Sequence, residues 1–156
     1  LMDPQPTSQP PSKRRRQEVE IESYQNNTPP PKFIKSEDFW LEDGNIILSC
    51  DPVRFRVHRG ILALHSIVFK DLFATSGVGD DTFEGVPIVT LHDRAKDMRL
   101  LLQMIHFRIY CQNKSKMRLE TLRRVLRMAR KYIVDKVYKE IVNYLKFIFP
   151  STLHEH

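Results

Sequence analysis

The residue types of a serine hydrolase lie close together in this chain: His65 and Ser66 are adjacent, and Asp71 follows five positions after the serine. A working Ser-His-Asp set needs nucleophile, base and orienting carboxylate on converging elements. These three fall on what reads as one helical segment, a geometry that excludes the chemistry. His58 stands at a bend with no nucleophile or proton donor beside it. It reads as an imidazole hydrogen-bonded to backbone that orders a strand-to-helix turn. Cys50 and Cys111 have no ligand-like spacing with each other or with a histidine, which argues against a zinc site or a disulfide framework and for a reducing compartment. Asp80-Asp81 sits in a glycine-bearing loop and keeps it solvated. No Gly-rich phosphate loop or paired-carboxylate setting is present. The chain therefore reads as a non-enzyme with no cofactor and no metal.

Cations are the other chemistry on offer. Net charge is +6, unevenly spread: residues 37–107 carry seven Lys/Arg against eleven Asp/Glu, and residues 108–146 carry twelve against three. Within the basic half, Arg123, Arg124, Arg127, Arg130 and Lys131 fill one face of a predicted helix. That face has the charge density of a phosphate-binding strip. It lacks the interleaved aromatics of a single-strand binder, and residues 112–118 are too long and polar for a helix-turn-helix turn. Solvent or a protein contact is favoured for it over nucleic acid, which is kept as the alternative reading together with the basic tail. In that tail, Lys13-Arg14-Arg15-Arg16 reads equally as a nuclear-import signal or as a solvated charge run. The nucleus and the cytoplasm are the expected locations. No stretch approaches the roughly 18 apolar residues of a membrane span.

The elements that must position these side chains follow from periodicity. Val53, Phe55 and Val57 alternate; after His58-Arg59-Gly60, residues Ile61, Leu62, Leu64, Val68, Phe69, Leu72 and Phe73 recur at steps of one to four residues. The change of period without a loop predicts a strand running directly into an amphipathic helix. Ile46-Ile47-Leu48-Ser49-Cys50 predicts an earlier strand, turned into the second by Asp51-Pro52 as a hairpin. Residues 75–87 read as loop and Ile88-Val89-Thr90-Leu91 as a third strand. Residues 97–110 read as a helix whose acidic start suits the helix dipole. A polar break at 112–116 precedes helices over 119–133 and 135–149, the last ended by Pro150. The fold class is α+β: a small three-stranded sheet with clustered helical hairpins.

Residues 1–35 hold seven prolines and few apolar side chains, and read as a disordered tail. The folded domain is expected over 36–150, with 151–156 a C-terminal tail that fits a fragment of a longer chain. Phe39, Trp40 and Leu41 open the domain. Large apolar residues at an edge seek cover, so they read as an interface element or as packing on their own core.

In order along the chain, Phe55-x-x-His58-Arg59-x-x-Leu62-Ala63-x-x-Ser66-x-x-Phe69 resembles the central signature of BTB/POZ domains. Arg130-Lys131-Tyr132-x-x-Asp135 resembles that family's junction between its last two core helices, and the resemblance covers about residues 38–149. The run from Phe39 to Leu48 is most similar to fungal members with no further recognisable domain. The resemblance implies a BTB/POZ fold and a module for homotypic or heterotypic protein contacts. Members serve in transcription factors, as adaptors of cullin ubiquitin ligases and in ion channels, so a protein partner, a homo-oligomer or a cullin is implied. Asp43 and Arg59 match positions that line a charged pocket in the transcription-factor branch; their other reading is a local ion pair worth ~0–1 kcal/mol if exposed. Where the family has valine after the aspartate, this chain has Gly44-Asn45.

Overall fold

The computed structural model describes residues 32–75, 81–107 and 117–150. The proline-rich tail up to residue 31, the basic run at 13–16, Asp80, Cys111, the polar break at 112–116 and residues 151–156 lie outside them. Chain order is β1 (Ile34–Trp40), β2 (Ile46–Cys50), β3 (Val53–Val57), α1 (Arg59–His65), α2 (Ile67–Thr75), β4 (Thr82–Phe83), β5 (Val86–Thr90), α3 (Ala95–His106), α4 (Leu119–Lys131) and α5 (Asp135–Ile148). The sheet runs β1-β3-β2-β5-β4. β2 lies at its centre, antiparallel to β3 and parallel to β5. All five of its residues are buried, as expected of a mostly apolar strand covered on both faces. Ile46, Leu48 and Cys50 join Phe55, Val57, Leu62, Phe69 and the inward residues of α3–α5 in the main core. Burial pushes the Cys50 thiol up to about 12, so it stays protonated and serves as a core side chain.

The α+β class is as expected, but the sheet has five strands instead of three. β1 was hidden because its buried residues, Ser36 and Phe39, are three apart. A register shift against β3 produces that spacing and masks the period-two signal. Apart from the half-buried Trp40, its other residues are exposed, as suits an edge strand. β4 is two residues long and forms a tight hairpin with β5 through Glu84 and Gly85, both at positive φ. β1 and β4 end the strand order on opposite sides, yet Phe33 and Trp40 meet Phe83 at 5.1 and 6.0 Å. The β4–β5 hairpin therefore folds back across the sheet face that the helices leave open, where Arg56 reaches Glu84 at 3.7 Å.

The predicted helix after β3 is two helices, broken at Ser66 in an extended conformation (φ −134°, ψ 120°). Leu62, Phe69 and Phe73 point inward on either side of the break; their steps of seven and four fit a continuous helix equally well, so periodicity conceals it. Leu64, expected inward, is 79% exposed. Asp51-Pro52 is a cis peptide bond in the β2–β3 turn. Gly44 fills the space where a Cβ would meet Arg56 Cγ at 2.9 Å and the backbone of Leu41 and Val57 at 3.0 Å. The departure Gly44-Asn45 thus lets the chain cross tightly over β3. α4 and α5 pack antiparallel around a turn in which Val134 N–H donates to Ala129 C=O and Ile133 N–H to Arg130 C=O. This is a Schellman closure, with isoleucine at φ 49° where glycine is usual.

Candidate protein-interaction surface

The three apolar residues expected at the domain edge separate. Phe39 is fully buried against Phe55, His106 and Phe107; a core side chain has no surface to give a partner, which corrects that expectation for Phe39. Trp40 points to the opposite face, as neighbours on a strand must. It stacks on Phe33 and carries the Lys35 ammonium 4.6 Å from its ring centroid. Leu41 is half-buried and closes a turn by accepting from Gly44 N–H.

Asp43 and Arg59 do not pair. Asp43 lies 2.9 Å from His58 Nε2, and that hydrogen bond holds its carboxyl below the ordinary value. His58 is thus at the predicted bend, but its partner is a carboxylate and not backbone. Arg59 turns inward: its guanidinium donates to Phe73 C=O at 2.5 Å and covers the Phe73 ring. Arg59 N–H donates to Asn45 Oδ1 at 2.7 Å. Arg59 clamps the start of α1 to the far end of α2, a positioning task that the sequence did not disclose.

Much of the basic face is already engaged. Asp97, in the first turn of α3 and with 3% of its side chain exposed, receives Arg127 Nη2 at 2.6 Å and lies 3.0 Å from Arg124 Nε. Lys131 bonds Asp93 at 2.6 Å, and the Tyr132 hydroxyl donates to the other oxygen of the same carboxylate. Burial and that neighbouring carboxylate push the Tyr132 phenol upward. Arg124, Arg127 and Lys131 therefore staple α4 to α3 and its preceding loop, which corrects their reading as a free strip. Arg123 and Arg130 stay exposed, with no ion pair among the described residues.

Ser66 is the joint of the helical layer. Its hydroxyl donates to Tyr132 C=O at 2.5 Å and accepts from Phe69 N–H at 3.0 Å. The second bond is an N-cap for α2. The single proton of the hydroxyl is committed to a backbone carbonyl, and the side chain is buried. The Tyr132 ring stacks on Phe69 at 4.6 Å. Outside this joint, Leu64, Ile67 and Ile133 are exposed around one shallow depression of about 340 Å³, rimmed by Lys70, Asp135 and Lys136. Ile133 also holds a left-handed backbone that costs a side-chain-bearing residue about 1–2 kcal/mol. Among the described residues no group of three or more His, Cys, Asp or Glu is placed to hold a metal, and no helix is long and apolar enough to cross a membrane.

His106 gives the domain a pH response. Its Nδ1 faces Leu102 C=O at 3.0 Å, and its Nε2 is buried with no hydrogen-bond partner among the described residues. Burial lowers its pKa, opposed by the Leu102 bond and reinforced by His58 and His65. A base depressed in the folded state is protonated first in the unfolded chain, so stability falls as pH drops below about 6.5. Thermal unfolding followed from about pH 7 to about pH 5 is expected to show a falling midpoint, with a shallower slope in His106→Gln.

A protein-family model described as the BTB/POZ domain matches residues 40–148. No curated protein matches the chain. Among solved structures, the BTB domain of zebrafish PATZ1 is 20% identical, the match covering 66% of this chain and 75% of that one with a TM-score of 0.49. The BTB domain of human gigaxonin is 17% identical, with 65% and 76% covered and a TM-score of 0.49.

Proposed function

Because the chain belongs to the BTB/POZ domain family, generally a family of protein–protein interaction modules without enzymatic activity, we propose that it self-associates through the corner where α1 meets α2, and that it is not an enzyme. The observation that carries this reading is the exposure of Leu64, Ile67 and Ile133 around one depression. A two-fold contact sets a patch against its own copy. This one would bury three apolar side chains and let Lys70 or Lys136 of one copy meet Asp135 of the other. Charged rims of that kind set register more than affinity.

Recruitment to transcriptional regulation or to a cullin ubiquitin ligase are the two forms this would take in the cell; resemblance to family members supports them. Residence would be nuclear if the basic run at 13–16 acts as an import signal, and cytoplasmic otherwise. Direct nucleic-acid binding is less well supported, since Arg124, Arg127 and Lys131 are neutralised from within.

Light scattering across a concentration series tests the reading. The chain is expected to form a discrete dimer, and Leu64→Asp with Ile67→Asp to shift it to monomer without loss of helical signal. Both positions are exposed, so the fold should tolerate the change. A monomer at every concentration, or a dimer indifferent to both substitutions, would remove this surface from the proposal.

A further inference from the structure

We propose that the groove between α4 and α5 is a second docking site, which takes an extended acidic segment of a partner protein and holds it through Arg123 and Arg130. The proposal rests on the reading of the chain as an interaction module and names the chemistry of one partner. The groove measures about 500 Å³ and is lined by four arginines with Glu120 as the single acid, over Leu126 and Tyr138. Asp97 divides the four arginines by function. It engages Arg124 and Arg127 and fixes α4 in place. Arg123 and Arg130 have no carboxylate partner among the described residues. Two unpaired guanidinium groups on a helix pinned from behind form a preorganised fork for carboxylates.

Spacing specifies the ligand further. Arg123 and Arg130 are seven residues apart on α4, about 10 Å along its axis at 1.5 Å per residue. An extended chain in the polyproline II conformation covers about that distance in three residues at about 3.1 Å each, and its three-residue turn returns positions i and i+3 to one side. The matching segment therefore has Asp or Glu at positions i and i+3, with an apolar residue between them for Leu126 and Tyr138. A nucleic acid fits less well. Its affinity grows with the number of phosphates neutralised, and here two arginines are already engaged while Glu120 is part of the lining.

The test is fluorescence anisotropy of the whole chain with two labelled synthetic peptides. One has two glutamates three residues apart around a leucine; the other has glutamine in place of both. Saturable binding of the first is expected, weakened by about tenfold or more in the second and in Arg123→Gln/Arg130→Gln. Arg123→Glu/Arg130→Glu should abolish it, with circular dichroism confirming the fold in both variants. Equal binding of the glutamine peptide, indifference to both variants, or no binding would overturn the proposal. So would tighter, Arg123/Arg130-dependent binding of a single-stranded oligonucleotide. Leu64→Asp/Ile67→Asp separates the two surfaces. Peptide binding that survives in this variant supports the groove whatever the oligomeric state; no peptide binding by an unsubstituted chain that still dimerises overturns the groove alone.

Discussion

Removing both arginines that face Asp97, as Arg124→Met/Arg127→Met, will destabilise the domain by about 3–5 kcal/mol, more than removing the aspartate itself. The asymmetry follows from burial. With the arginines gone, a carboxylate whose side chain is only 3% exposed is left without its counter-charges. With the carboxylate gone, Arg127, whose side chain is 66% exposed, and to a lesser degree Arg124 can recover hydration. Asp97→Asn should therefore cost less, about 2 kcal/mol, part of it the lost favour of an acid in the first turn of α3. Replacing all three by apolar residues of similar size should recover much of the loss, because buried ion pairs gain little over good packing. Chemical denaturation of the wild type and the three variants measures the whole cycle. Equal losses for the carboxylate and the arginines would mean that Asp97 is effectively solvated.

Ser66→Ala is expected to cost about 2–4 kcal/mol, large for the loss of one oxygen. Two effects combine. The N-cap bond to Phe69 N–H is lost, typically ~1 kcal/mol. Tyr132 C=O also loses the donor that meets it at 2.5 Å in a buried site, a further 1–3 kcal/mol or so. Ser66 and Tyr132 are 66 positions apart, so the loss loosens α1–α2 from α4–α5 as a unit. Hydrogen exchange would locate the effect: the Phe69 amide should exchange faster, while amides of the central strand β2 follow global stability. An alanine variant that unfolds at the wild-type denaturant concentration would show that the hydroxyl bonds add nothing net. The same joint decides the interaction surface. The break at Ser66 leaves Leu64 and Ile67 on its outer side, and the turn it grips presents Ile133 beside them.

Several residues show how far local pattern reaches. The change of period at His58 located the β3–α1 junction, because alternation and helical spacing are both written into adjacent side chains. The short run Ile46 to Cys50 located the strand β2. Helices α4 and α5 were legible from their periodicity. The same reasoning missed β1, whose register shift spaces its buried residues by three, and the break at Ser66, where the apolar spacing stays helical. It misread Leu64 as core. Asp97 was read correctly as an acid suited to a helix start, but its larger task, neutralising arginines 27 and 30 positions away, has no local sign. Arg59 was read toward a partner or a local ion pair, and its guanidinium serves Phe73.

Sequence was therefore sufficient for the family signature, the α+β class and most of the core stripes of the helices. Each depends on side chains within a turn or two of one another, where backbone periodicity dictates direction. Which charges are spent inside, which apolar residues stay outside and which strands flank the sheet were settled only when distant segments met. A carboxylate's partners, like a strand's neighbour, are fixed by packing across the fold, and no residue's identity encodes them alone.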